Sequence, residues 1–161
     1  MSMLTEVNVH IGEIKMATEG QVLKTLLGSC VGIGFLWRSQ KTYGLAHCLL
    51  PEIIPSAKTH TEGRFVEKAI PNLLQMMDVP PSKYHEIEAL IVGGGNMTNP
   101  RVCNPNTLVG SANTKLAKEI LTKLGIKILH EETGGEEGRK LTIFCNSGTY
   151  HIEVIPRIIA V

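Results

Sequence analysis

The chain has 161 residues, of which 43% are hydrophobic and 19% are charged, and its formal net charge is +1. This length and composition indicate one globular domain and exclude a disordered chain, and the near-neutral charge lacks the excess of lysine and arginine that is typical of nucleic-acid-binding proteins. The sequence shows no apolar stretch long enough to span a membrane and no secretory signal, so we expect a cytoplasmic protein without membrane insertion.

The first half of the chain is predicted to consist mainly of strands, because its apolar residues alternate or form short continuous runs. In chain order, its predicted elements are strands at residues 7–14, 21–27, 31–37 and 43–50, followed by a polar loop at 53–62. The polar residues 38–42 predict a turn between the third and fourth strands.

The second half adds two helices, because its apolar residues recur at helical spacing. In chain order, its predicted elements are a helix at 63–77, a strand at 88–92, an irregular stretch at 96–107, a helix at 112–124, and strands at 126–131, 141–145 and 150–155. Pro71 predicts a kink in the first helix, and residues 134–138 predict a hairpin turn. We therefore expect one domain over residues 1–161 with an α+β fold, a layered α/β/β sandwich with mixed, largely antiparallel sheets and two main helices.

The four cysteines, Cys30, Cys48, Cys103 and Cys145, form no C-x-x-C pair and have no histidine at zinc-finger spacing. The sequence therefore predicts no metal site, no cofactor and free thiols. Cys30 differs from the other three because Gly28 and Ser29 place it after a flexible turn at the start of a strand. Such a turn exposes the thiol, and its backbone N–H groups can stabilise a developing oxyanion.

His47 lies on the next predicted strand and is the candidate base for Cys30. If Arg38 pairs with Lys41 across a two-residue loop, Gly32 faces His47, and Cys30 lies diagonally opposite on the same face. A loop with an odd number of residues would place the two side chains on opposite faces. We interpret Gly32 and Gly34 as leaving room beside the imidazole and for a substrate backbone, and we expect Cys48 to point to the opposite face.

Two short motifs surround this candidate pair and resemble those of the chemoreceptor glutamine deamidase family, CheD. They are T-L-L-G-S-C-V at Thr25–Val31 and A-H-C-L-L-P at Ala46–Pro51. The similarity continues at Arg64–Ile70, at Ile91–Met97, at Gly110–Asn113, at Thr133–Gly135 and at Gly138–Arg139. Gly95 stands where the family usually has alanine, and Ala112 stands where it usually has arginine.

The resemblance implies that Cys30 attacks the carboxamide of a receptor glutamine, while His47 takes the thiol proton and later donates one to ammonia. It also implies a threonine that orients the histidine. Thr25 is the matching residue, although an alignment shifted by one residue would select Lys24. The implied partners are the cytoplasmic helices of chemoreceptors, as substrate, and the phosphatase CheC.

Three alternatives stay open at the level of sequence. The same acyl-enzyme chemistry would hydrolyse glutamyl methyl esters. A noncatalytic chemotaxis adaptor would bind receptors, regulate CheC and not need Cys30. A domain without chemistry would bury Cys30 as an inert core residue. The sequence Gly93-Gly94-Gly95 also invites comparison with a phosphate loop, but it lacks the Lys-Ser/Thr of that motif, and we interpret it as a structural turn.

Overall fold

The computed structural model of the protein describes residues 4–49, 63–95 and 109–156. Within these ranges the chain forms nine strands and two α-helices. The strands are β1 (Thr5–Asn8), β2 (Ile14–Ala17), β3 (Gln21–Leu27), β4 (Val31–Trp37), β5 (Thr42–Cys48), β6 (Glu88–Gly93), β7 (Lys127–Thr133), β8 (Gly138–Phe144) and β9 (Thr149–Ile155). The helices are α1 (Val66–Met76) and α2 (Val109–Leu124), and short 3₁₀ turns occupy Arg38–Gln40 and Pro81–Glu86.

The strands form two sheets, one of four strands in the order β1-β3-β8-β9 and one of five strands in the order β2-β5-β4-β6-β7. Each sheet contains one parallel pair, β1 with β3 and β6 with β7, and its other pairs are antiparallel. Both helices pack against the five-stranded sheet. The predicted α+β fold, a layered α/β/β sandwich with mixed, largely antiparallel sheets, is confirmed.

The central strand β4 is buried on both faces because it lies between two hydrophobic cores. Its alternate residues Val31, Ile33 and Phe35 face the helices. Its other face looks toward the four-stranded sheet, where Leu23 and Ile143 contribute to the second core. The second core, between the sheets, is the layer in which the candidate site lies.

The predicted strand at residues 7–14 is wrong. The chain reverses at Ile11 and Gly12, and Gly12 has a φ of 85°, a left-handed conformation that favours glycine. The residues before the turn form β1 in the four-stranded sheet, and those after it form β2 in the five-stranded sheet. The loose alternation therefore conceals a crossing from one layer to the other.

The predicted hairpin at residues 134–138 is also wrong. β7 belongs to the five-stranded sheet and β8 to the four-stranded sheet, so the connection between them joins two layers. Gly134 and Gly135 both have positive φ, 79° and 68°, which lets the chain change direction sharply. A glycine-rich turn in the sequence indicates where the chain bends, but it does not indicate whether the next strand pairs with the preceding one.

The two predicted helices are confirmed with shifted ends. α1 begins at Val66, because Phe65 has an extended backbone, and the helix continues through Pro71. α2 ends at Leu124, before Gly125, which has a φ of 76°. The predicted loop at 53–62 and the irregular stretch at 96–107, which contains Cys103, lie outside the described residues.

Candidate active site

The hairpin of β4 and β5 places Cys30 and His47 on one side of the five-stranded sheet. Gly32 pairs with His47, the register that the sequence predicts for an even loop. Cys30 precedes β4 and belongs to the core between the sheets, whereas Cys48 belongs to the core under the helices. The two cysteines therefore face different layers.

A cleft with a volume of about 830 Å³ opens over Cys30 and His47. All five site residues that are predicted from the sequence line this cleft, namely Cys30, His47, Thr25, Gly28 and Ser29. The remaining lining residues come from β1, from the turn after it, and from β3 and β8, and they are Glu6, Asn8, Val9, His10, Ile11, Lys24, Leu26 and Lys140. The nucleophile and base candidates thus share one solvent-accessible cleft.

Thr25 contacts the imidazole directly. Its Oγ1 lies 2.8 Å from Nδ1 of His47, and it donates a hydrogen bond of 2.7 Å to the carbonyl of Val9. Because a hydroxyl has only one proton to donate, Oγ1 accepts from Nδ1–H of His47. This bonding pattern assigns the tautomer in which Nε2 carries a free lone pair, as a general base requires.

Lys24, the residue that a shifted alignment would select, is held elsewhere. Its Nζ forms an ion pair of 2.6 Å with Glu6. Thr25 and His47 are both buried, with 4% of each exposed, whereas 24% of the Lys24 side chain is exposed. The geometry therefore associates Thr25, and not Lys24, with the imidazole.

The turn between β1 and β2 fixes the backbone of His47. The N–H of Gly12 donates to the carbonyl of His47 at 2.9 Å, and the N–H of His47 donates to the carbonyl of Glu13 at 3.0 Å. Sequence reasoning missed this support and the carbonyl of Val9. Both act through the backbone, so no side-chain motif marks them.

The glycines after β6 hold the loop that carries Cys30. The N–H of Gly94 donates to the carbonyl of Cys30 at 2.8 Å, and the N–H of Gly95 donates to the carbonyl of Gly28 at 3.0 Å. A Cβ at Gly93, whose φ is 110°, would collide with the carbonyl of Cys30. Because these N–H groups bind protein carbonyls, the segment fits the structural-turn interpretation rather than a phosphate loop.

Arg139 stabilises the turn after β7, which contacts this glycine segment. Its buried guanidinium donates from Nη1 to the carbonyl of Gly134 at 2.6 Å and to that of Glu137 at 3.3 Å. The N–H of Gly134 in turn donates to the carbonyl of Gly93 at 3.1 Å. The turn after β7 is thereby connected to the Cys30 loop through hydrogen bonds.

The interpretation of Gly32 and Gly34 as space for a substrate is wrong. A Cβ at Gly32 would lie 2.9 Å from Cδ1 of Leu27, and one at Gly34 would lie 3.1 Å from Cδ1 of Ile143. Side chains of the opposite sheet fill both spaces. The two glycines therefore allow the sheets to approach each other.

Burial shifts the pKa values of both candidate residues toward their neutral forms. It raises the pKa of the Cys30 thiol. Burial is also the main reason why the pKa of His47 is lowered, and the carbonyl of Val9 opposes that shift in part. In the resting cleft, the thiol and the imidazole are therefore both neutral, which leaves Nε2 of His47 unprotonated.

Two further features bear on the kind of site. Within residues 4–49, 63–95 and 109–156, no group of three or more His, Cys, Asp or Glu side chains is arranged to hold a metal ion. None of the helices in the described parts of the chain is long and apolar enough to cross a membrane.

A thiol, an imidazole with a free Nε2 and a hydroxyl that orients the imidazole are the components of a cysteine hydrolase site. The comparisons with known proteins specify the family. The family model described as "CheD chemotactic sensory transduction" matches residues 49–154. The chain belongs to the CheD family.

Relatives extend the match to the region of Cys30 and His47, which precedes the residues matched by the family model. The chain is 39% identical to a Ruegeria sp. protein named "Probable chemoreceptor glutamine deamidase CheD 2", over 96% of this chain and 95% of the relative. It is 43% identical to a Bdellovibrio bacteriovorus protein named "Probable chemoreceptor glutamine deamidase CheD", over 94% and 96% of the two chains. A crystal structure of a Neisseria meningitidis protein of family DUF152 is 15% identical, with a TM-score of 0.43 over 83% of this chain and 62% of that one.

Proposed function

We propose that this protein is a glutamine deamidase whose single domain, residues 1–161, converts specific glutamines of chemoreceptors to glutamate in the cytoplasm. The observation that carries the proposal is the common cleft that both Cys30 and His47 line, in which the ring of His47 is held by Thr25. The names of the two relatives above support the choice of substrate. A CheC-type phosphatase as partner stays a prediction from the family resemblance.

The reaction follows from the roles of the two side chains. The thiol of Cys30 gives its proton to Nε2 of His47 as Sγ attacks the carboxamide carbon of the glutamine. The tetrahedral intermediate breaks its C–N bond, His47 donates a proton to the leaving nitrogen, and ammonia departs. Water then attacks the thioester, His47 takes a proton from the water and returns it to Sγ, and glutamate is released.

We assign the stabilisation of the oxyanion to backbone N–H groups at Gly28 and Ser29. No backbone carbonyl of the described residues accepts a hydrogen bond from either group. Both residues line the cleft beside Cys30. Donors that are already in place at the reacting carbonyl stabilise its developing negative charge without reorganisation.

The test is incubation of the protein with the cytoplasmic fragment of a chemoreceptor, followed by mass spectrometry of the fragment and measurement of released ammonia. We expect glutamine-to-glutamate conversion at defined positions, with one ammonia for each. Release of methanol from a methylated fragment, without ammonia from glutamine, would identify a methylesterase instead. A fragment that stays unmodified at all glutamines would contradict the proposal.

Replacement of Thr25 by valine is expected to lower kcat by about 10²-fold with little change in KM, because the imidazole loses the partner that fixes its tautomer and orientation. Thr25→Ser keeps the hydroxyl and should restore most of the rate. Steady-state kinetics on the receptor fragment measure both variants. Equal rates for the serine and valine variants would show that the hydroxyl does not position His47.

The pH dependence of kcat/KM should reflect the lowered pKa of His47. A base whose pKa lies below the ordinary value of 6.5 stays unprotonated to lower pH, so activity should persist below pH 6.5 and decline only in more acidic solution. A pH–rate profile of the wild-type protein measures this limit. If activity is lost on the acidic side with a midpoint above pH 6.5, the result would contradict the assignment of His47 as a buried base with a lowered pKa.

A further inference from the structure

The cleft over Cys30 is larger than one glutamine side chain requires. Its volume of about 830 Å³ lies in the range of pockets that enclose a whole drug-sized ligand. Cys30, His47 and Thr25 belong to its buried lining, with 6%, 4% and 4% of each residue exposed. The outer lining is therefore available to the residues that flank the glutamine in the substrate.

Two exposed apolar side chains belong to that outer lining. Ile11 is 59% exposed and Leu26 is 63% exposed. Ile11 lies in the turn whose Gly12 binds the carbonyl of His47, and Leu26 directly follows Thr25 on β3. A single exposed leucine is ordinary, but two large exposed apolar side chains that line the same cleft as Cys30 and His47 indicate a contact surface.

Two lysines, Lys24 and Lys140, line the cleft near Leu26, and they differ in whether they form an ion pair. Lys24 is neutralised by Glu6 at 2.6 Å. Lys140 lies opposite Leu26 in the register of β3 and β8; it forms no ion pair with any described residue, and its charge acts on Glu6 only at longer range, where it contributes to lowering the pKa of that carboxyl. The outer cleft thus presents apolar surface next to a lysine that has no carboxylate at ion-pair distance among the described residues.

We propose that Ile11, Leu26 and Lys140 dock a receptor α-helix that carries an apolar side chain one turn from the target glutamine and a carboxylate toward Lys140. Residues three or four apart lie on one face of a helix, so such neighbours accompany the glutamine into the cleft. The proposal rests on the proposed function, because that function supplies the receptor as occupant. It adds the residues by which the protein distinguishes one glutamine from another.

The test measures the affinity of a chemoreceptor cytoplasmic fragment for a Cys30→Ala protein, which prevents turnover, by calorimetry. Leu26→Asp and Ile11→Asp in this background should each raise Kd by about tenfold or more, because a buried apolar contact becomes a charge. Lys140→Glu should also weaken binding, and more strongly at low salt. Leu4→Asp and Val154→Asp are matched controls, because both residues are exposed and apolar but lie outside the cleft lining.

Equal affinities for the Leu26, Ile11 and control variants would overturn the docking surface. Deamidation of the same fragment by the protein with an intact Cys30 separates this failure from failure of the proposed function. Binding that depends on Leu26 and Ile11, without deamidation, would support the surface and contradict the enzyme. Deamidation that is unaffected by Leu26→Asp and Ile11→Asp would support the enzyme and contradict the surface.

Discussion

A Cys30→Ala protein is expected to lose deamidation of the receptor fragment by at least about 10⁴-fold in kcat, because Cys30 carries the one thiol among the described residues that line the cleft, and the acyl intermediate forms on it. The side chain is buried in the lining of the cleft, and alanine keeps most of its packing. The loss should therefore appear in kcat while the fragment still binds. Ammonia release under saturating fragment measures it.

The matched control is Cys48→Ala. Cys48 is also buried, but it faces the core under the helices, and burial raises the pKa of its thiol. Its replacement should change stability more than rate. Comparable losses of kcat in the two alanine variants would show that the Cys30 effect is structural, and undiminished ammonia release by Cys30→Ala would remove the proposed nucleophile.

Replacement of His47 by glutamine is expected to lower kcat by about 10³-fold or more, because the thiol loses its proton acceptor and the leaving nitrogen loses its proton donor. The pKa of Cys30 is already raised by burial, so few thiolates form without a base. The variant should partly recover activity at high pH, where the thiol ionises by itself. A series of rates from neutral to alkaline pH measures this recovery.

His10→Gln is the control for this variant. His10 also lines the cleft, but its side chain is exposed and its Nδ1 pairs with Glu13 at 3.0 Å. The His10 variant should keep most of its rate at neutral pH, whereas the acidic limit of its profile should rise, because His10 contributes to lowering the pKa of His47. An equal loss in both histidine variants would remove the special role assigned to His47.

The sequence predicts the geometry of the Cys30 region well because that geometry follows from local rules. The period-two pattern of β4 and an even loop place Gly32 opposite His47, and the register of the hairpin agrees. Once the register is set, the alternation of side chains determines which residues share a face. Cys30 and Cys48 fall on different faces for this reason alone.

The parts that the sequence does not reveal depend on contacts between segments that are not consecutive strands of one hairpin. The carbonyl of Val9 reaches Thr25 because β1 and β3 are parallel neighbours in the four-stranded sheet, and the intervening β2 belongs to the other sheet. Similarly, Gly32 leaves space for the side chain of Leu27 from the opposite sheet, and no local sequence pattern predicts this contact. Backbone acceptors and inter-sheet contacts carry no residue signature, so both became visible only in the folded chain.

Alkylation of the wild-type protein by iodoacetamide, with the labelled cysteine mapped and the deamidation rate measured in the same samples, tests the account most directly. We predict that activity falls in proportion to the fraction of Cys30 that is labelled, and that bound receptor fragment slows this labelling. Cys145, whose pKa burial raises to about 11, should react far more slowly. Full activity in protein that is completely alkylated at Cys30 would contradict the account.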